Sequence, residues 1–188
     1  MSHFFKYFPT ISYDLLKDGN TRVIQNPLVR FKILNALKNK TALYYTYDVK
    51  EGQSAQFIAH KYYGDETLDW VLFLTNDIID PLYDWPLDYQ DFINYLKNKY
   101  GSIETALNTV HSYEWIYQSQ QTLYDGTIVS EKVLNVDAET YAGLSVNEKR
   151  EVSKYDYEQR LNDKKRNIKI LKSNYLGNLL TEVERVFR

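Results

Sequence analysis

Three observations along the 188-residue sequence predict an α+β fold. Residues 43–49 alternate in polarity as a strand does, residues 54–100 switch to helical spacing punctuated by caps and glycines, and residues 110–118 return to alternation. Together they predict a small strand–helix–helix core over 42–87, with an aromatic arm and a short helix over 1–41 before it. Residues 88–188 are expected to add a third helix, a β-hairpin arm and a C-terminal amphipathic helix.

The arm begins FFKYFPTISY and reaches a turn signal at Asp18-Gly19-Asn20. A helix is expected from Pro27 to Lys38, because Leu28, Phe31, Leu34 and Leu37 recur at three-residue steps. Asn26 supplies its N-cap and Pro27 a first-turn proline. The strand that follows sets Leu43, Tyr45, Tyr47 and Val49 on one face and Tyr44, Thr46 and Asp48 on the other, and Glu51-Gly52 ends it.

Ser54 then caps a helix whose Ala55, Ile58, Ala59 and Tyr62 share a face, and Gly64 is placed to stop it in a left-handed conformation. A second helix, from about Glu66 to Thr75, carries two apolar stripes, Leu68, Val71 and Leu72 on one side and Trp70, Phe73 and Leu74 on another. Such a helix must be covered on more than one side, by an extension of the same chain or by a partner. Asp88 caps a third helix running to Tyr100, with Tyr89, Phe92, Ile93, Leu96 and Tyr100 as its stripe and Gly101 as its stop.

A short helical segment is expected over 102–108 and a strand over Val110 to Gln118, followed by a turn at Asp125-Gly126 into Thr127-Ile128-Val129. Residues 134–152 show no period and read as loop. KYDYEQRLNDKKR reads as a charged helix, NIKIL as a brief strand, and Leu176, Leu179, Leu180, Val183 and Phe187 as the stripe of a last helix from Asn174 to Arg188.

Composition narrows function. A net charge of −2 removes the broad attraction to polyphosphate on which nucleic-acid binders rely, so no nucleic-acid partner is expected. The absence of cysteine excludes disulfides, thiolate metal sites and cysteine nucleophiles. His3, His60 and His111 are scattered, and no phosphate loop or nucleophile elbow is present, so no enzyme, catalytic residue, cofactor or metal is expected. Asp77, Asp80, Asp84, Asp88 and Asp91 lack calcium-loop spacing and its glycine. The N-terminus is a poor signal peptide and no run is long enough to cross a bilayer, so no membrane partner is expected and the protein is expected to be made and kept in a cytoplasm.

Eighteen tyrosines stand against seven glycines. Tyrosine enrichment fits surfaces where proteins meet, and AT-biased codon usage would also produce it. The basic residues Arg160, Lys164, Lys165, Arg166, Lys169 and Lys172 are expected to form a solvated face, or in an assembly to steer an acidic partner.

Tyr47, Val49, Gly52, Ser54, Ile58, Ala59, Tyr63-Gly64, Leu72 and Asn76 resemble a LysM module, which implies a small LysM-like βαα(β) core. Such modules close with a second strand after the second helix. Here Ile78 to Leu87 is broken by Pro81 and Pro86, so any closing strand there is expected to be short or peripheral. Gly52, Gln53, Ser54, Asn76, Asp77, Ile78 and Ile79 correspond to the sugar groove of glycan-binding members, and glycan binding is not the expected use of them.

Over a longer span, Tyr63-Gly64-Asp65, Trp70, Asn76, Asp84-Trp85-Pro86 and Lys99-Tyr100-Gly101 resemble the baseplate wedge subunits of contractile-tailed bacteriophages, the protein fifty-three type of the T-even phages. That resemblance implies a structural subunit of the virion tail baseplate, assembled in the host cytoplasm, that docks other wedge proteins and neighbouring copies and helps join wedges around the central hub. Phe4, Phe5, Trp70, Phe73, Trp85, Tyr113, Trp115 and Tyr117 are its candidate interface residues. The alternative is a LysM-type peptidoglycan-binding module.

Overall fold

The computed structural model describes residues 8–187 apart from 27, 30, 31 and 34. In chain order the elements begin with β1 (Thr10–Tyr13), β2 (Arg22–Gln25), α1 (Asn35–Lys38), β3 (Tyr44–Asp48), α2 (Ala55–Tyr63), α3 (Asp69–Thr75), α4 (Pro81–Asp84), α5 (Tyr89–Tyr100) and α6 (Ile103–Asn108). They continue with β4 (Val110–Gln118), β5 (Gln121–Thr122), β6 (Ile128–Val129), β7 (Lys132–Val136), α7 (Ala138–Gly143), β8 (Lys149–Ser153), α8 (Lys154–Arg166), β9 (Asn167–Leu171) and α9 (Ser173–Phe187). The mixture is α+β. The chain divides into two compact units, residues 1–86 with 165–188, and residues 87–164. The C-terminal strand and helix therefore belong with the first unit, whereas the sequence division ran from 88 to 188 without a break.

In the first unit β1 and β2 form a hairpin whose turn is held by Asp14, which accepts from the amides of Asp18 and Gly19, with Gly19 at φ 80°. The helix expected from Pro27 to Lys38 is reduced to Asn35–Lys38. Leu28, Val29, Lys32 and Ile33 are not helical, and Pro27, Phe31 and Leu34 lie outside the described residues.

β3 pairs antiparallel with β9, Tyr44 opposite Leu171 and Asp48 opposite Asn167. Segment 78–87 contributes no strand and forms α4 instead, because Asp80 caps it by accepting from Leu82 N at 3.0 Å and Pro81 occupies its first turn. The order is thus strand, two helices, then a strand supplied from far along the chain.

The helices start where their caps predict. Ser54 Oγ accepts from Phe57 N at 3.2 Å, and Gly64 closes α2 at φ 75°. Val49, Ala55, Ile58, Ala59, Leu72, Ile168 and Ile170 make one core cluster, and Tyr44, Trp70, Val71, Leu171 and Val183 a second. Both draw on α3, which accounts for a helix apolar nearly all round: Leu72 faces one cluster, Trp70 and Val71 the other. The cover is the chain's own β9 and α9. The same cover alters β3: Tyr44, expected on the polar face, is buried under α9, while Tyr45 is 52% exposed.

The second unit packs α5 on α6 through Phe92, Leu96 and Ala106, and builds a three-stranded antiparallel sheet in the order β7-β4-β8. Residues 134–152, expected as loop, hold the end of β7, α7 and most of β8. β8 carries a single apolar residue, and in β7 the neighbouring Val133 and Leu134 are both exposed, so neither strand shows a clear alternation. Asp137, which caps α7 by accepting from Thr140 N at 2.7 Å, was the legible signal there. α8 opens on a capping box in which Ser153 Oγ accepts from Asp156 N at 3.0 Å and Asp156 Oδ2 accepts from Ser153 N at 3.4 Å.

Candidate assembly surfaces

The groove-equivalent residues are all engaged within the first unit. Gly52 takes φ 72° in the turn after β3. Gln53 Oε1 accepts from Tyr47 Oη at 2.8 Å and from Lys50 N at 3.0 Å, and its carbonyl accepts from Trp85 Nε1 at 3.0 Å. Trp85 also meets Phe73 edge to face, with ring centroids 6.0 Å apart. Trp85 is thereby a clamp from the DWP segment onto the turn before α2.

Asn76 behaves as a surrogate strand residue. Its Nδ2 donates to Leu72 O at 2.9 Å and Lys169 O at 2.8 Å, and its Oδ1 accepts from Lys169 N at 2.8 Å. It therefore ends α3 and satisfies both outward backbone groups of Lys169 in β9. Asp77, at φ 57°, binds the Lys38 ammonium, which is the first cause holding its carboxyl below the usual range. Ile78 N donates to Phe73 O at 2.9 Å. Replacing Asn76 by alanine is expected to cost about 2 kcal/mol, since two backbone groups of β9 lose their partner; urea denaturation should show it, and an unchanged midpoint would refute this role.

Of the interface candidates, Trp70 is 5% exposed inside the second cluster, and Phe73 and Trp85 pack half-buried against the first. Phe4 and Phe5 lie outside the described residues, as does His3. Tyr113 and Trp115 share one face of β4, and at Tyr117, where the register with β7 shifts, the ring still meets that of Trp115. The Tyr113 and Tyr141 rings sit 4.5 Å apart and those of Trp115 and Tyr117 6.1 Å apart, while the Lys149 ammonium lies 4.9 Å from the centroid of Tyr141. This aromatic row leads to the β5–β6 tip, where Leu123, Tyr124 and Ile128 are exposed, as is Leu134 on β7. Sequence reasoning placed the hairpin but did not single out those four, because in isolation each is an ordinary strand or turn residue.

The opposite face of β4 presents Glu114, which is buried. Its Oε2 accepts from Arg150 Nε at 2.9 Å and its Oε1 from Arg160 Nη1 at 2.6 Å. Burial raises the carboxyl's pKa, and the Arg160 and Arg150 hydrogen bonds outweigh that and leave it lowered. Glu158 is arranged alike: its oxygens accept from Lys99 Nζ at 2.7 Å, Tyr100 Oη at 2.7 Å and Tyr95 Oη at 3.0 Å. Asn162 grips Leu87 by both backbone groups, at 2.8 and 3.0 Å.

The basic residues expected as a solvated face are mostly spent on structure. Arg160 holds Glu114, Arg166 holds Glu51 at 2.7 Å, Lys165 holds the Tyr83 carbonyl, and Lys172 Nζ donates to Ala42 O at 2.6 Å. Asp80, Asp84 and Asp88 are occupied by backbone amides at turns and caps. His111 stacks on Tyr157 at 3.7 Å, and His60 is exposed on α2.

A family model described as base plate wedge protein 53 matches residues 4–186. The chain belongs to the base plate wedge protein 53 family. Both units fall within the match, so membership covers the core with its distant closing strand and the hairpin-bearing unit alike. A search of curated proteins returned no match. Membership makes the chain a structural protein of the phage tail base plate that associates with other base plate components. Among the described residues, no helix is long and apolar enough to cross a membrane.

Proposed function

We propose that this wedge-family chain docks neighbouring wedge proteins and helps join wedges around the central hub, assembling in the host cytoplasm. The family match over 4–186 carries this reading. The aromatic row of β4 and the exposed β5–β6 tip supply the anchors: Tyr117 is 48% and Ile128 62% exposed, and large apolar side chains of that kind dominate binding when they fill a partner's pocket. Tyr113 and Trp115 support the row from within it. Phe73 and Trp85 contribute their exposed edges, Phe4 and Phe5 the start of the arm.

We also read the order β3-α2-α3-β9 as a LysM-like core whose closing strand is delivered by residues 167–171. Its groove positions then serve the fold. Gln53 and Asn76 spend their side-chain amides on Tyr47, Lys50, Leu72 and Lys169, which leaves them poorly placed to recognise a glycan.

Co-expression of the full chain with candidate wedge proteins, followed by mass measurement, tests the docking reading. The wild-type chain is expected in the complexes, and the double variant Tyr124→Ser, Ile128→Ser is expected to weaken its retention about ten-fold or more with its thermal stability unchanged. A wild-type chain absent from every complex would sink the proposal.

A further inference from the structure

The β3–β9 sheet has two edges that the chain treats differently. Lys172 N donates to Leu43 O at 3.0 Å and Val49 N to Arg166 O at 2.8 Å. In an antiparallel pair, residues that exchange bonds alternate with residues that do not. Tyr45 and Tyr47 therefore turn their backbone groups toward β9, while Thr46 and Asp48, like Lys169 on the other strand, turn theirs outward. On β9, Asn76 occupies both outward groups of Lys169. On β3, no described residue pairs with the outward amides of Thr46 and Asp48, and both residues are exposed. The strand has no proline and its register runs without a bulge, so two of the usual protections of an edge are missing.

Only extended backbone can meet donors and acceptors spaced two residues apart along an edge. The surrounding charge selects its composition. The Lys172 ammonium lies 5.2 Å from the Tyr45 ring centroid and the Lys61 ammonium 5.2 Å from that of Tyr47, and exposed Lys40 and Lys50 flank the strand. Asp48 is the one acid on β3, and Glu51 after it is held by Arg166. A second copy brought edge to edge would set these lysines against their equivalents, whereas an acidic segment is attracted to them. Tyr45 and Tyr47 offer cross-strand faces to β-branched side chains.

We propose that the outer edge of β3 is a docking site for an extended acidic segment of another protein, which adds as a third strand. This edge belongs to the first unit and the hairpin to the second, and the proposal stands independently of the wedge-joining role.

Amide exchange of the full chain, followed by NMR, tests it with two probes: a short blocked peptide alternating glutamate with valine, and its lysine–valine counterpart. The acidic peptide is expected to slow exchange at Thr46 and Asp48 about ten-fold and to leave Tyr45 and Tyr47 unchanged; the lysine peptide at equal concentration is expected to do neither. Thr46→Pro removes an outward donor and no bond of the β3–β9 ladder, so it should weaken the acidic peptide about ten-fold with the fold retained. Should proline disturb the fold, the double charge reversal Lys50→Glu, Lys61→Glu provides the second reading and should shift preference toward the lysine peptide. Absence of protection by either peptide, equal protection by both, or undiminished binding by a folded Thr46→Pro chain would overturn the proposal. Protection that rises with protein concentration alone would overturn it in favour of a second copy.

Discussion

Leu72→Ala is expected to lower the stability of the first unit by about 3–5 kcal/mol, the cost of truncating a fully buried leucine whose surroundings relax little. Leu72 is a member of the cluster that joins Val49 of the strand side, Ile58 and Ala59 of α2, and Ile168 and Ile170 of β9. It sits on α3, which feeds both clusters, so a collapse of either into the cavity would disturb the other. Phe57→Ala supplies the control: Phe57 lies on α2 and is largely exposed, and its loss should cost under about 0.5 kcal/mol. Thermal and urea unfolding should resolve the difference. Similar midpoints for the two variants would show that the core is organised otherwise.

Glu114→Gln is expected to lower the stability of the second unit by about 2 kcal/mol at neutral pH. A buried ion pair broken on one side costs more than that, but Arg150 and Arg160 are partly exposed and recover some hydration, which reduces the loss. The pH dependence identifies the cause. The folded carboxyl has a pKa below the unfolded one, so its contribution is complete above the unfolded value of about 4.3 and is lost as pH falls through the folded value. The gap between wild type and variant should therefore be full at pH 7 and shrink toward zero in acid. A gap of constant size across that range would assign the effect to packing alone. Glu158, lowered by Lys99, Tyr100 and Tyr95 against the opposing effect of burial, should leave the variant with a residual acid transition of the same sign.

Local chemistry was legible in the sequence wherever a cap and a period agreed. Ser54 with Gly64, Asp88 with Gly101, and the stripe of α9 each announce an element whose ends the structure reproduces to within a residue or two. Pairing was not legible in the same way. Nothing near Tyr44 marks NIKIL as its partner, because a ladder bond carries no side-chain signature and the two segments are separated by an entire unit. Residues 134–152 read as loop for a different reason: KREVS holds a single apolar residue, and its strand character comes from lying beside β4. At the candidate surfaces, aromatic content was legible but its allocation was not. Trp70 and Trp85 look alike in sequence to Trp115, and only packing separates a core tryptophan from a clamp and from a member of an outward row.

Because β3 pairs with Asn167–Leu171, the first unit cannot close this sheet until residue 171 has been synthesised. Residues 87–164 leave the ribosome earlier and contain all the strands of their own three-stranded sheet, so they are free to fold while β3, α2 and α3 wait. A message broken anywhere before β9 yields a chain whose β3 is open on both edges and whose Val49 and Ile58 lack Ile168 and Ile170. Such a product exposes apolar surface and strand edge together, the combination that aggregates or is degraded. The distant strand thus ties completion of this core to the synthesis of residues 167–171, which supply both the partner of β3 and the apolar cover of Val49 and Ile58.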